Sequence, residues 1–189
     1  MVSQQSEERK YRSNNMVYIL CGIDKSGKST VIQDLKDLLP GAVVFKIKNK
    51  PKDGSPDERA KVQYIYDELF HQALQNSQDV PVIFDRAYPS ELVYSKINRG
   101  YDAFYVVDWW RLDESLKDAA RLIYCSAPDD VLVQRFNETG EKDLTPNQFK
   151  EVLERYEMFL EKTSLPVLRL DTTKSREENK ELMKQFIEQ

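Results

Sequence analysis

MVYILC-GIDKSGKS-TVIQDLKDLL, residues 16–39, decides how the rest of the chain is read. Met16 to Cys21 is an unbroken apolar run of strand length, and from Ser29 to Leu39 apolar residues recur at helical spacing. Between them Gly22-Ile-Asp-Lys-Ser-Gly27-Lys28-Ser29 fits the pattern GxxxxGK[ST]. A strand before it and a helix after it are the context that gives the pattern its physical meaning. Glycines let the backbone wrap a polyphosphate, and the N–H groups of the loop and of the helix N-terminus face its negative charge. Gly22, Asp24, Lys25, Ser26, Gly27, Lys28, Ser29 and Thr30 are therefore expected around the phosphates of a nucleotide. Lys28 should reach the outer phosphates and the Ser29 hydroxyl is placed to ligate magnesium.

Outward from this stretch, short apolar runs alternate with longer amphipathic ones. Met16 to Cys21, Ala42 to Ile47, Val80 to Phe84, Leu122 to Cys125 and Val167 to Leu170 read as strands. Ser29 to Leu39, Pro56 to Gln75, Pro89 to Asn98, Tyr101 to Lys117, Asp129 to Asn137, Pro146 to Thr163 and Ser175 to Ile187 read as helices. Strands of nearly continuous apolar character, separated by helices, predict an α/β fold: a five-stranded parallel sheet with helices on both faces, a three-layer sandwich of the P-loop NTPase type. Ligands of such sheets bind beyond the carboxyl ends of the strands. The 189 residues suit one domain spanning 1–189, with 1–14 a polar tail and 137–146 a lid segment.

With 40% hydrophobic and 32% charged residues, the composition is that of a globular chain, and a net charge of -4 gives no support to a general nucleic-acid-coating role. Cys21 and Cys125, the only cysteines, lack the spacing of a disulfide framework or zinc site and read as buried free thiols. The stretch MVSQQSEERKYRSNN lacks the apolar segment of a secretion signal, and no apolar run approaches the roughly 20 residues of a membrane span. A cytoplasmic location and no membrane partner are expected.

A second signal lies in Val80-Pro-Val-Ile-Phe-Asp85-Arg86, a buried strand that ends by releasing a carboxylate and a guanidinium at the same sheet edge as the loop. Asp85 can join a magnesium shell or take a proton from an attacking oxygen, and Arg86 offers a fork for phosphate.

Taken together these motifs resemble the thymidylate kinases and related deoxynucleoside monophosphate kinases. The loop GIDKSGKST is similar to the family's G-[VIL]-D-[RK]-x-G-K-[ST]-[ST], and Asp85-Arg86-Ala-Tyr-Pro-Ser90-Glu-Leu-Val-Tyr94 to its DRxxxSxxxY. Arg99-Gly100-Tyr101-Asp102 resembles the Arg-Gly-x-Asp of some members. Ala127 to Arg135 resembles the helix that ends in an Arg at the lid, and Gly140 to Asp143 with Phe149 and Arg155-Tyr156 the lid and its following helix. Leu170-Asp171-Thr172-Thr173 resembles the loop against which ATP's adenine packs.

This resemblance implies that Arg86 grips an acceptor phosphate, that Asp24 approaches a deoxyribose hydroxyl, and that Arg135 and Thr172 join the ATP site. Lys25 stands where one subgroup keeps a catalytic arginine; with Lys142 the only basic residue between Asn137 and Pro146, Lys25 is expected to supply the extra charge on the transferred group. Ser90, Tyr94, Phe45 and Phe70 are assigned to the acceptor, with Phe70 or Tyr66 stacking on its base. Lys28, Lys25, Arg86 and Asp85 are the catalytic set, and Ser29 with Asp85 the metal set. Magnesium as cofactor, ATP as co-substrate, a nucleoside monophosphate as acceptor and a homodimer are implied.

Members that select thymine carry an arginine after the second strand and LFxxxR in the next helix. Here Phe45-Lys-Ile-Lys48-Asn-Lys50 and Leu69-Phe70-His-Gln-Ala-Leu74 stand instead. No carboxylate occurs after the second strand before Asp53 to activate a nucleoside hydroxyl, while Lys46, Lys48, Lys50 and Lys52 suit an acceptor that is already anionic. A kinase of a nucleoside or nucleic-acid hydroxyl and an NTPase without acceptor stay open as alternatives. His71, alone in a helical pattern, reads as structural, and Trp109 and Trp110 with Phe104 and Tyr105 as core or interface.

Overall fold

The computed structural model describes residues 16–46, 55–77, 79–105, 107–139 and 144–189. The expectations for the tail, for Lys48, Lys50, Lys52 and Asp53, and for the lid positions Gly140, Lys142 and Asp143 lie outside these residues. In chain order the elements are β1 Val17–Cys21, α1 Lys28–Leu38, β2 Val43–Lys46, α2 Pro56–Asn76, β3 Val82–Asp85, α3 Tyr88–Arg99, α4 Trp109–Leu116, β4 Ala120–Ser126, α5 Asp129–Thr139, α6 Pro146–Leu160, β5 Val167–Asp171 and α7 Arg176–Ile187.

The strands form one parallel sheet in the order β2-β3-β1-β4-β5. β1 is central and every residue in it is buried, so successive side chains feed two different cores. Val17, Ile19 and Cys21 pack with Val62, Phe70, Leu92 and Tyr156 of α2, α3 and α6. Tyr18 and Leu20 pack on the other face with Val31, Leu35, Met183 and Phe186 of α1 and α7. Helices thus cover both faces, as the apolar strand runs require. Cys21 and Cys125 fall on opposite faces, buried and unbridged.

Helix ends follow local chemistry. Ser55, Thr145 and Ser175 accept from the N–H three residues on, and the last two form reciprocal capping boxes with Gln148 and Glu178. One expected helix is corrected. Tyr101 to Lys117 is a 3-10 turn at Ala103–Tyr105 followed by α4. Amides that would continue a helix are taken by distant or local side chains: Ala103 N–H by Ser95 Oγ (3.0 Å), Phe104 N–H by Asp102 Oδ1 (3.2 Å) and Asp108 N–H by Gln63 Oε1 (2.8 Å). Among the described residues no helix is long and apolar enough to cross a membrane.

Candidate active site

β1 and β3 are adjacent, so the loop after Cys21 and the Asp85-Arg86 pair after Phe84 emerge side by side at the carboxyl edge. The loop turns through left-handed backbone at Gly22 (φ 140°), Lys25 (φ 64°) and Gly27 (φ 83°). Gly22 is dictated twice over, because a Cβ there would lie 2.3 Å from the Cys125 carbonyl oxygen. Gly27 lies against Thr172, whose Cβ a methyl would meet at 3.1 Å. Lys25 and Arg86 (φ 69°) hold the same backbone region without being glycine, a strained geometry that collects at functional sites.

Lys28 is curled onto the loop. Its Nζ donates to Gly22 O (3.0 Å), Ile23 O (2.7 Å) and Ser26 Oγ (3.4 Å). Burial, reinforced by the Arg86 charge, lowers its pKa to about 8. Arg86 donates to Asp24 Oδ1 and lies 5.5 Å from the Tyr94 ring centroid, while Asp24 N–H donates to the Tyr94 hydroxyl (3.3 Å). Asp85 pairs with Lys46 Nζ at 2.9 Å. Arg135 ties α5 to the loop by donating to Lys25 O (3.3 Å), Thr172 Oγ1 (3.1 Å) and Thr172 O (3.4 Å).

These groups surround a cleft of about 490 Å³. Its cations Lys25, Lys28, Lys46, Arg86 and Arg135 outnumber its carboxylates Asp24, Asp85 and Glu138, so positive potential is focused here on a chain of net charge -4. Gly27, Ser29 and Thr30 complete the lining. Ser26, within the loop, is fully buried.

Not every expected residue lines this cleft. Phe70 is only 2% exposed, with its ring centroid 4.9 Å from that of Phe84 and 5.6 Å from that of Tyr88. Continuous aromatic packing holds it in the core rather than on the cleft wall, and Tyr66 is likewise buried. Phe45 stacks on Phe84 at 5.6 Å. Ser90 and Tyr94 are buried along α3 beside the loop.

Tyr156 is a contributor to which sequence pattern gave no separate role. Fully buried on α6, it donates to Gly22 O (3.0 Å), which leaves Ser90 Oγ to donate to it at 3.3 Å. It therefore joins the loop to α3. A core tyrosine at helical spacing carries no sign of such a bond, which depends on a residue 134 positions away.

Among the described residues no cluster of three or more His, Cys, Asp or Glu could cage a metal. Ser29 and Asp85 nevertheless line the same cleft, an oxygen pair that suits magnesium, which is ordinarily held by one or two carboxylates with phosphates and waters completing its shell.

No protein-family model and no curated protein matches the sequence. Solved structures do match in fold. YorR protein from Bacillus subtilis, in complex with phosphorylated GDP, is 22% identical with a TM-score of 0.69, the match covering 92% of this chain and 96% of that one. Deoxyadenosine kinase from M. mycoides, with products dCMP and dCDP, is 18% identical with a TM-score of 0.63, covering 91% and 98%. Thymidylate kinase from Candida albicans is 16% identical with a TM-score of 0.54, covering 92% and 91%. The chain thus shares the α/β fold of these proteins, a five-stranded parallel sheet with helices on both faces, and the Gly22–Ser29 loop stands at its carboxyl edge.

Proposed function

We propose that this chain transfers the γ-phosphoryl group of ATP to a nucleoside 5'-monophosphate, in the manner of a thymidylate or related deoxynucleoside monophosphate kinase. One observation carries this reading: Lys46 and Arg86 stand at the ends of β2 and β3 in the same cleft as the phosphate loop, giving a second cationic station beside the first. One station suits the donor's polyphosphate and the other an acceptor phosphate. A switch that passed phosphate only to water would need one station.

In this reading the loop amides and Lys28 hold the β- and γ-phosphates, and Arg86 forks onto the acceptor phosphate. Asp24 fixes Arg86 and faces the acceptor sugar. Lys25 supplies charge to the group in flight, and Arg135 steadies the donor. Ser29, with Asp85, would hold magnesium, which supplies charge neutralisation between the β- and γ-phosphates. Alignment and electrostatic stabilisation are the main work of such a site. An anionic acceptor oxygen needs no base, which agrees with an Asp85 engaged by Lys46.

An ADP-release assay over the ribo- and deoxyribonucleoside monophosphates tests the proposal, with at least one strong acceptor expected. Transfer to nucleosides or oligonucleotide hydroxyls alone, or turnover unaffected by any acceptor, refutes it. A cytoplasmic homodimer acting in nucleotide biosynthesis accords with the same reading.

A further inference from the structure

The Lys28 ammonium carries three N–H groups, and the loop offers an acceptor for each: Gly22 O at 3.0 Å, Ile23 O at 2.7 Å and Ser26 Oγ at 3.4 Å. All three accepting residues are buried. Reaching both the β- and the γ-phosphate of a donor takes two of the three N–H groups. Two loop acceptors must then be given up, and the longer contacts, to Gly22 O and Ser26 Oγ, are the weaker ones. A buried carbonyl left without a donor is costly, so the loop would oppose the departure of its own lysine.

Second donors already stand on both carbonyls. Ser26 N–H donates to Ile23 O at 3.2 Å, a bond within the loop itself. Gly22 O accepts from the Tyr156 hydroxyl at 3.0 Å, and that tyrosine lies on α6, 134 positions along the chain. Tyr156 has one O–H hydrogen and Gly22 O can only accept, so the hydrogen is committed to this bond. The Tyr156 ring is held by those of Tyr94 and Tyr124, with centroids 6.4 Å and 5.4 Å away, and the neighbouring Arg155 donates to the carbonyls of Leu92 and Val93. The hydroxyl is therefore fixed on Gly22 O by packing that does not involve Lys28.

We infer that Tyr156 is a positioning residue for Lys28: by keeping Gly22 O paired, it lets the ammonium turn from the loop to the donor's phosphates without stranding a buried acceptor. This role rests on the reading of the Gly22–Ser29 loop as the donor's phosphate site. Tyr156 touches no substrate in it and acts through the lysine. Its effect is asymmetric. With Lys28 on the loop, Gly22 O has two donors and loses little when the hydroxyl is removed. With Lys28 on the phosphates, the hydroxyl is the donor that remains.

Tyr156→Phe keeps the ring and removes only the hydroxyl. Calorimetry with ATP and no acceptor, on the full chain, should show about tenfold weaker binding, the effect of leaving one buried acceptor unsatisfied. Urea unfolding without nucleotide should shift little. Lys28→Met reverses the pattern, because there the hydroxyl is the donor left to Gly22 O with or without ATP. Adding Tyr156→Phe to Lys28→Met should lower the urea midpoint and leave that variant's ATP affinity within about twofold. ATP binding by Tyr156→Phe equal to that of wild type overturns the inference. So does a urea midpoint that falls as far with Lys28 present as with Met in its place, which is what a merely structural tyrosine would give. Should the double variant fail to fold, the single variant decides: weaker ATP binding at an unchanged midpoint supports the role, and a lowered midpoint overturns it. Wild type that binds no ATP takes down the donor reading as well, an outcome distinct from normal binding by the variant.

Discussion

Lys46 and Asp85 stand directly opposite each other at the carboxyl ends of neighbouring parallel strands, their ammonium and carboxylate 2.9 Å apart. The lysine side chain is 63% exposed and the aspartate 13%, so the pair has one foot in the cleft and one in solvent. Such a pair contributes little to stability, and its place in the cleft argues for a role in binding. Lys46→Gln is expected to raise the acceptor KM about tenfold while leaving the ATP KM within about twofold, as loss of a hydrogen bond to a charged group does. Lys46→Glu should be worse and Lys46→Arg close to wild type. Steady-state kinetics with each substrate varied in turn checks this; an equal rise in both KM values would tell against an acceptor role.

Arg86 has a different kind of hold. Its backbone is left-handed, and its side chain is fixed between Asp24 and the Tyr94 ring. Arg86→Ala is expected to lower kcat/KM for the acceptor about a hundredfold, in the range seen when one charge-stabilising donor is removed. ATP binding measured without acceptor should change far less. A larger loss for ATP than for acceptor would reverse the two stations of the cleft.

The Gly22–Ser29 loop was legible because its information is local. Glycine at positions 22 and 27, lysine at 28 and hydroxyls at 29 and 30 carry their geometry in their own chemistry, and the flanking periods are short-range. β1, β3 and β4 were legible because burial on both faces leaves a nearly plain apolar run, whereas the edge strands β2 and β5 are only partly covered. What was not legible depends on partners far along the chain. Asp108 gives its N–H to Gln63, 45 residues earlier, and Ala103 gives its own to Ser95, so the stretch 101–117 breaks although its apolar spacing is helical. Phe70 reads equally well as a base platform or as core, and only the positions of Phe84 and Tyr88 decide between them.

Gly22 provides a test of the loop that needs no substrate. Any side chain there brings a Cβ to 2.3 Å from Cys125 O, at a φ of 140° that L residues rarely adopt. The obstacle is backbone of the adjacent strand β4 and cannot swing aside. Gly22→Ala should therefore cost about 2 kcal/mol or more through strain and overpacking, and should displace the carbonyl that Lys28 and Tyr156 share. Gly100→Ala is the control, since it too has positive φ (72°) but no atom within 4 Å of its would-be Cβ. Urea unfolding should show the Gly22 variant losing more stability than the Gly100 variant, and ATP affinity should fall only in the former.

Arg155 of α6 joins that helix to the carbonyls of α3 and to Asp102 just beyond it, and the pairing sets an acid limit on stability. Arg155 donates to Asp102 Oδ2 (2.9 Å) and Oδ1 (2.5 Å) and to the carbonyls of Leu92 (2.7 Å) and Val93 (3.1 Å). Its side chain is 7% exposed and that of Asp102 24%, so removing the carboxylate strands a largely buried cation. Asp102→Ala should cost about 3 kcal/mol on that ground. The hydrogen bonds from Arg155, ahead of all other causes, hold the Asp102 pKa below its ordinary value of 3.8. A carboxyl whose folded pKa is depressed binds protons more readily when unfolded, so its contribution is fully present above about pH 5 and is lost as pH falls through 3.8 towards the folded value. Urea midpoints measured from pH 7 to pH 3 should fall more steeply in wild type than in Asp102→Asn, which keeps the shape of the side chain but cannot titrate. Parallel curves would mean that Asp102 titrates alike in the folded and unfolded chain and that the pair is no brace between the two helices.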